Sequence, residues 1–158
     1  RPELPVPPTR ERYLQAVEEF LSDVPYVAKC LHRRDLMPAR WCLDVDMRET
    51  YLRPMLEWRA ACDEGWSVPH GILGRGLERR LPDGWAEAVG RTYAAGSVDA
   101  SWDALLAILD LHARAAREVA AHLGHPFPEE RIARVRAHAE MVRADFTART
   151  RSGDREGT

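Results

Sequence analysis

Apolar residues recur at helical spacing along most of this chain. Thr9 can cap a first helix whose inward face is Tyr13, Val17, Phe20 and Leu21. Asp23 and Pro25 interrupt that pattern. A second helix is predicted over 25–33, with its proline in the first turn, where a missing N–H does no harm. Asp35 can cap a third helix running to about Ala61, with Leu36, Leu43, Met47, Tyr51, Met55 and Trp58 spaced three, four or seven apart along one face. Pro38 falls in its first turn, whereas Pro54 removes an interior hydrogen bond and predicts a kink near the end.

Residues 65–76 read as a loop with a short turn, followed by a brief helix to Leu81 and another over 82–94, ended by Gly96. Ser97 and Ser101 frame the start of the cleanest amphipathic stretch: Trp102, Leu105, Leu106, Leu109, Ala113, Ala116, Val119 and Leu123 share one face until Gly124 stops it. A last helix, from Glu129 to about Arg149, turns Ile132, Val135, Ala139, Val142 and Phe146 inward. No β-alternation of useful length and no repeat occurs. The pattern predicts an all-α bundle of five to seven helices. Residues 1–8, four of them proline, read as an extended arm or linker, 9–149 as the helical domain, and the polar 150–158 as a disordered tail.

At 158 residues and 45% hydrophobic content the chain is one domain, large enough to bury a core without metal or disulfide. Its cysteines, Cys30, Cys42 and Cys62, form an odd set with no Cys-x-x-Cys pair, which suits a reducing cytoplasm. Neither a stretch of about 18 apolar residues nor a signal pattern is present, so a soluble cytoplasmic domain without a membrane partner is expected. The net charge of −2 combines 25 acids with 22 arginines and a single lysine, Lys29, and no single-sign field argues for nucleic acid. An initial Arg1 in place of Met suggests an excised or processed piece.

The stretch 26–58 carries a family signature: Tyr-Val-Ala-Lys at 26–29, the pair Asp35-Leu36, Ala39 beside a basic residue, Leu43-Asp44, and Met-Leu-Glu-Trp at 55–58. With 71–82, 102–111 and 116–123 it resembles the C-terminal domain of the aminoglycoside 6-adenylyltransferases, the streptomycin-modifying nucleotidyltransferases, over roughly residues 12–142. The resemblance implies a helical substrate-binding domain of a transferase that moves AMP from Mg-ATP to an aminoglycoside hydroxyl and so confers antibiotic resistance. It also implies that ATP and magnesium are bound mainly by an N-terminal nucleotidyltransferase domain, which this chain lacks and to which the proline-rich arm would attach. Alone, the chain is expected not to catalyse transfer. Cys30, where glycine is usual, and His32, where tryptophan is common, depart from the family pattern, as does the extra acid Asp46. Streptomycin itself is therefore not assumed.

The resemblance places Lys29, with Tyr26 nearby, against the triphosphate; Arg33, four residues on, would join the same patch. Asp44 matches the family's Leu-Asp motif and is the candidate general base and substrate carboxylate. A polycationic, hydroxyl-rich substrate needs carboxylates for its ammonium or guanidinium groups and aromatic faces for its rings; Glu57, Trp58, Trp102 and Asp103 are of the right types. Ordinary solvent-facing acids on an arginine-laced helix are the competing reading of each acid. Asp44 and Asp46 imitate the acid pair with which polymerase-like nucleotidyltransferases bind two magnesium ions, but that pair alternates along a strand. On a helix, residues two apart diverge by about 200° and share no metal face.

Other motifs carry less. Gly71, Gly74 and Gly76 follow no strand and read as loop glycines. His122 and His125 lack the further ligands of a structural zinc site. Arg117 with His122 and Arg131 with His138 fit the Arg-x4–6-His spacing of helical HEPN-type ribonucleases, yet a chain this rich in arginine produces such matches by chance. The alternatives to a transferase domain are a stand-alone helical ligand-binding or interaction module and, behind it, that ribonuclease.

Overall fold

The computed structural model describes the backbone of residues 1–156 and the side chains of residues 1–153. Six α-helices carry the fold: α1 (Arg10–His32), α2 (Leu36–Trp41), α3 (Arg53–Asp63), α4 (Trp85–Gly90), α5 (Val98–Leu123) and α6 (Glu129–Glu156). A π-helical segment, Cys42–Leu52, joins α2 to α3, and two 3₁₀ turns, Ile72–Gly74 and Leu77–Arg80, precede α4. The described residues contain no strand, as the apolar periodicity predicts.

Helix α5 is the hub, packing against α1, α3, α4, α6 and the π-helical segment. Its apolar stripe supplies Trp102, Leu105, Ile108, Leu109, Ala116 and Val119 to the core, where they meet Phe20, Leu31, Leu43, Met47 and Trp85. Ser97 caps it through Ala100 N–H, and Gly124 ends it at φ 72°, a left-handed turn that glycine adopts without strain. Polar anchors fix its neighbours. Tyr13 donates to the Ala116 carbonyl at 2.8 Å, and burial pushes that phenol up to about 12. His125 Nε2–H reaches the Pro8 carbonyl at 2.9 Å, tying the start of α1 to the end of α5.

Several boundaries differ from the sequence pattern. The two helices expected on either side of Asp23 and Pro25 are one, α1, with Pro25 in its interior. An interior proline costs about 3 kcal/mol. Here the buried face runs unbroken from Tyr13 to Leu31 across the proline, and that packing overrides the local break. The single helix expected from Asp35 is three connected pieces, and Asp35 makes no side-chain cap bond. In the middle piece the bonding widens, as in Arg53 N–H to the Arg48 carbonyl, five residues back. Pro54 falls in the first turn of α3, just after this segment. The helix expected over 82–94 shortens to α4. Helix α6 continues past Arg149 to Glu156, into the expected tail; the last part of that tail, residues 157–158, lies outside the described residues.

Candidate functional site

Asp44 sits inside an arginine node. Arg40 Nε–H donates to one of its oxygens at 3.1 Å and Arg48 Nη2–H to the other at 2.7 Å. Both guanidiniums also clamp the chain that follows α4. Arg40 bonds the Ala94 and Ala95 carbonyls at 2.9 and 2.7 Å, while Arg48 bonds the Thr92 hydroxyl and carbonyl at 3.1 and 2.9 Å and stacks 3.7 Å from the Tyr93 ring centroid. Arg48 is only 6% exposed. The carboxylate meant to act as base is therefore occupied at both oxygens, and what it does visibly is orient two arginines.

Asp46, two residues on, faces the other way. Its carboxylate, that of Asp23 on α1 and the thiol of Cys42 present ligand atoms all within 4.8 Å of one another. Among the described residues neither acid has a salt bridge, and Asp23 Oδ2 is buried without a hydrogen-bond partner. Burial first, then the Asp46 charge, raises the Asp23 carboxyl to about 6. Burial and the two acids push the Cys42 thiol up to about 12, so it stays protonated. Tyr51 borders the cluster, its phenol raised by partial burial and by Asp46, Glu19 and Asp23. Trp41, 60% exposed, precedes Asp46 by five residues, the spacing that i→i+5 bonding brings to one face. Two carboxylate groups and a protonated thiol do not fit magnesium, which demands an octahedron of hard oxygen ligands. An organic cation, needing only acceptors, fits better.

The other predicted substrate residues are dispersed. Glu57 is 9% exposed, accepts from Arg53 at 3.3 Å and lies 3.8 Å from His70 Nδ1. Trp58 is half-buried, with the Arg12 guanidinium 6.0 Å from its ring. Asp103 is exposed but pairs with Arg143 at 2.6 Å. Trp102 is a correction: at 1% exposure, packed 5.9 Å from Phe146, its indole belongs to the core and offers no face to a sugar. A small cavity of about 70 Å³ between the π-helical segment, α3 and residues 73–93 is lined by Arg48 and Arg53 but by neither Asp44 nor Glu57.

Lys29 and Arg33 do come together. They line a groove of about 680 Å³ between α1 and α6, with Pro25, His32, His138, Met141, Val142 and Asp145. Tyr26, although half exposed, is not part of that lining. Neither Lys29 nor Arg33 enters an ion pair among the described residues, and cationic donors on adjacent turns suit a phosphate chain. Of the α6 residues in this lining, only His138 belongs to a motif the sequence offers, the Arg131/His138 pair, and that motif points to a different chemistry.

The motifs of the ribonuclease alternative are engaged elsewhere: Arg117 bonds Glu129 at 3.2 Å and lies over Phe127, and Arg131 bonds Glu18 at 2.8 Å. No helix among the described residues is long and apolar enough to cross a membrane.

Comparison with known proteins agrees with the fold. A crystal structure of an aminoglycoside 6-adenyltransferase from Bacillus subtilis superposes with a TM-score of 0.73 at 21% identity, covering 86% of this chain and 51% of that one. The chain thus spans about half the length of that protein, and at this identity the likeness is one of fold. No curated protein gives a significant match. The family model described as streptomycin adenylyltransferase matches residues 3–142, most of the chain, and on that match the chain belongs to the streptomycin adenylyltransferase family.

Proposed function

We propose that this chain is the acceptor-recognising part of an aminoglycoside adenylyltransferase, and that its acidic edge at Asp23 and Asp46, flanked by Tyr51 and Trp41, takes a guanidinium or ammonium group of the antibiotic. The observation that carries this reading is the pair of adjacent carboxylates that, among the described residues, have no salt bridge, one with a buried oxygen that lacks a donor there. Held close together, two carboxylates require either a shared proton or a cation. A polycationic sugar supplies the cation, and aromatic side chains beside it supply faces for rings.

In this reading Asp44 is a positioning residue. It holds Arg40 and Arg48 on residues 92–95 and thereby sets the face on which Asp46 stands. Its two arginines leave one acceptor position on each oxygen, but they stabilise the carboxylate as an anion and so make it a weaker base. Glu57, Trp58 and Asp103 would join recognition only as outer contacts.

Mg-ATP, when bound, supplies the adenylyl group and the metal charge that stabilises phosphorus in transfer. Lys29 and Arg33 are the residues of this chain that would hold its phosphates. The magnesium ligands are proposed to lie outside this chain, since the acid cluster here is a poor match to that ion. Catalysis then requires a nucleotidyltransferase domain, and this chain contributes binding and orientation.

Calorimetric titration with streptomycin tests the proposal. Wild type should bind, more weakly as salt rises. Asp46→Asn should weaken binding about tenfold, the value of one charge-assisted contact, while Asp44→Asn stays within about threefold. The opposite order, with Asp44→Asn losing affinity and Asp46→Asn unchanged, would return the site to Asp44.

A further inference from the structure

Cys42 is the member of the acid cluster that antibiotic recognition leaves unused. A guanidinium or ammonium group donates hydrogen bonds and seeks oxygen acceptors, and a thiol is a poor acceptor. Yet Cys42 is 3% exposed, and its Sγ stands within 4.8 Å of a carboxylate oxygen from both Asp23 and Asp46. Two elements build this meeting. Cys42 and Asp46 fall four residues apart on the π-helical segment and share a face, while α1 brings Asp23 to them.

The donor types narrow the ligand. Magnesium and calcium surround themselves with about six oxygens or more and have no use for sulfur. Zinc and its thiophilic neighbours bind thiolate and carboxylate together in tetrahedral sets, and water completes the set where the protein supplies all but one ligand. Ligand atoms around such an ion lie about 3.3–3.7 Å apart, so this trio has to close by at most about 1.5 Å. The cluster also lacks a counter-charge. Neither acid has a salt bridge among the described residues, and Asp23 Oδ2 is buried there without a hydrogen-bond partner. Both acids are only partly buried, which gives an ion a path from solvent.

We propose that Asp23, Cys42 and Asp46 form a site for a zinc-class divalent cation, and that the metal and the antibiotic exclude one another at the two carboxylates. On binding, the Cys42 proton passes to solvent and a sulfur lone pair forms the bond to the metal, with nothing oxidised or reduced. The metal site stands on its donor set; only the competition rests on the acceptor-recognition reading. In that competition the ion is an inhibitor, because it neutralises the negative charge to which a polycation binds.

Cadmium is the probe, because its bond to a thiolate adds an ultraviolet charge-transfer band that carboxylate ligation does not. Titration of this chain with cadmium, in a phosphine reductant free of thiols, should raise that band to saturation at a single ion per chain. Zinc should displace the cadmium and magnesium should not. Cys42→Ala should abolish the band, Asp46→Asn should weaken cadmium about tenfold or more, and Cys62→Ala, which removes the buried thiol of α3, should change neither. Circular dichroism checks that each variant is folded, and Asp46→Asn decides the matter if Cys42→Ala is not. No band, a band that survives Cys42→Ala, displacement by magnesium, or an Asp46→Asn variant that binds like wild type would overturn the site. Saturating streptomycin should raise the cadmium concentration at half-saturation by about threefold or more; streptomycin that bound without this shift would overturn the competition. Failure of the antibiotic reading looks different: streptomycin would not bind, while cadmium kept its dependence on Cys42 and Asp46.

Discussion

Asp44 and Asp46 stand two residues apart on one helical segment and live in opposite electrostatic worlds. Asp44 has a guanidinium on each oxygen and, through them, holds residues 92–95. Asp46 meets another carboxylate and a thiol, with no salt bridge on either acid among the described residues. The first neighbourhood supplies its own counter-charge and the second is short of it. A saturated carboxylate stabilises what surrounds it, whereas one that lacks its counter-charge is ready for a ligand that brings one. Motif likeness selected the first residue, and its surroundings favour the second.

The sharpest way to break this contrast is to open the closed side. Arg48→Ala removes a buried guanidinium and strands both an Asp44 oxygen and the Thr92 carbonyl. Urea denaturation should show a loss of about 3 kcal/mol, the usual cost of removing one partner of a buried pair. A loss under about 1 kcal/mol would make the node a surface ornament. Arg48→Lys should recover only part, because an ammonium cannot span the Asp44 and Thr92 acceptors at once. Asp44→Asn is the milder cut: it keeps an acceptor but removes the charge, and should cost about 2 kcal/mol while leaving streptomycin affinity nearly intact.

How much of this the sequence carried depends on range. The faces of α5 and of the first half of α1 were legible because periodicity reports burial directly. Pro25 reads as a break because its local cost is visible in the sequence, while the packing of Val24, Val27, Ala28 and Leu31 that outweighs it is not. The widening at Cys42–Leu52 has no local signal, and the meeting of Asp46 with Asp23 is a tertiary contact. Lys29 and Arg33 share a groove, as i,i+4 spacing implies, but the wall facing them is about a hundred residues away in the chain. Trp102 is the instructive miss. It sat in the apolar stripe of the cleanest helix, and that spacing already assigned it to the core.

On the open side the expected sign reverses. The folded-state carboxyl of Asp23 is raised to about 6 by burial and by Asp46, against an ordinary value near 3.8. An acid whose folded pKa lies above its unfolded one favours folding while protonated, and that contribution fades as pH climbs from about 4 through about 6. At neutral pH the ionised cluster therefore strains the fold. Asp23→Asn should stabilise the protein there by about 1 kcal/mol, a figure discounted for partial exposure. The gain should shrink toward zero near pH 4. A gain that persisted unchanged at pH 4 would show that it came from packing, and a loss at pH 7 would show that the cluster is already compensated. Saturating streptomycin should narrow the difference at pH 7, because the ligand would stabilise wild type by mass action and Asp23→Asn less.

The smallest stability effect is expected at Trp41, and it separates recognition from folding most cleanly. The indole is 60% exposed, so Trp41→Ala should change stability by no more than about 0.5 kcal/mol. If the ring lies beside a cation held at Asp46, streptomycin affinity should nevertheless fall about threefold to tenfold, the range of an exposed to partly desolvated cation–π contact. Tryptophan fluorescence is a direct readout only in part, since four other indoles contribute; the difference spectrum between wild type and the Trp41→Ala variant isolates this one. Quenching of that difference signal on titration, lost in Asp46→Asn, would place the aromatic face and the acid on one ligand. Affinity unchanged in the variant would leave the carboxylates to bind a cation without an aromatic partner, and would confine recognition to the α1 side of the segment.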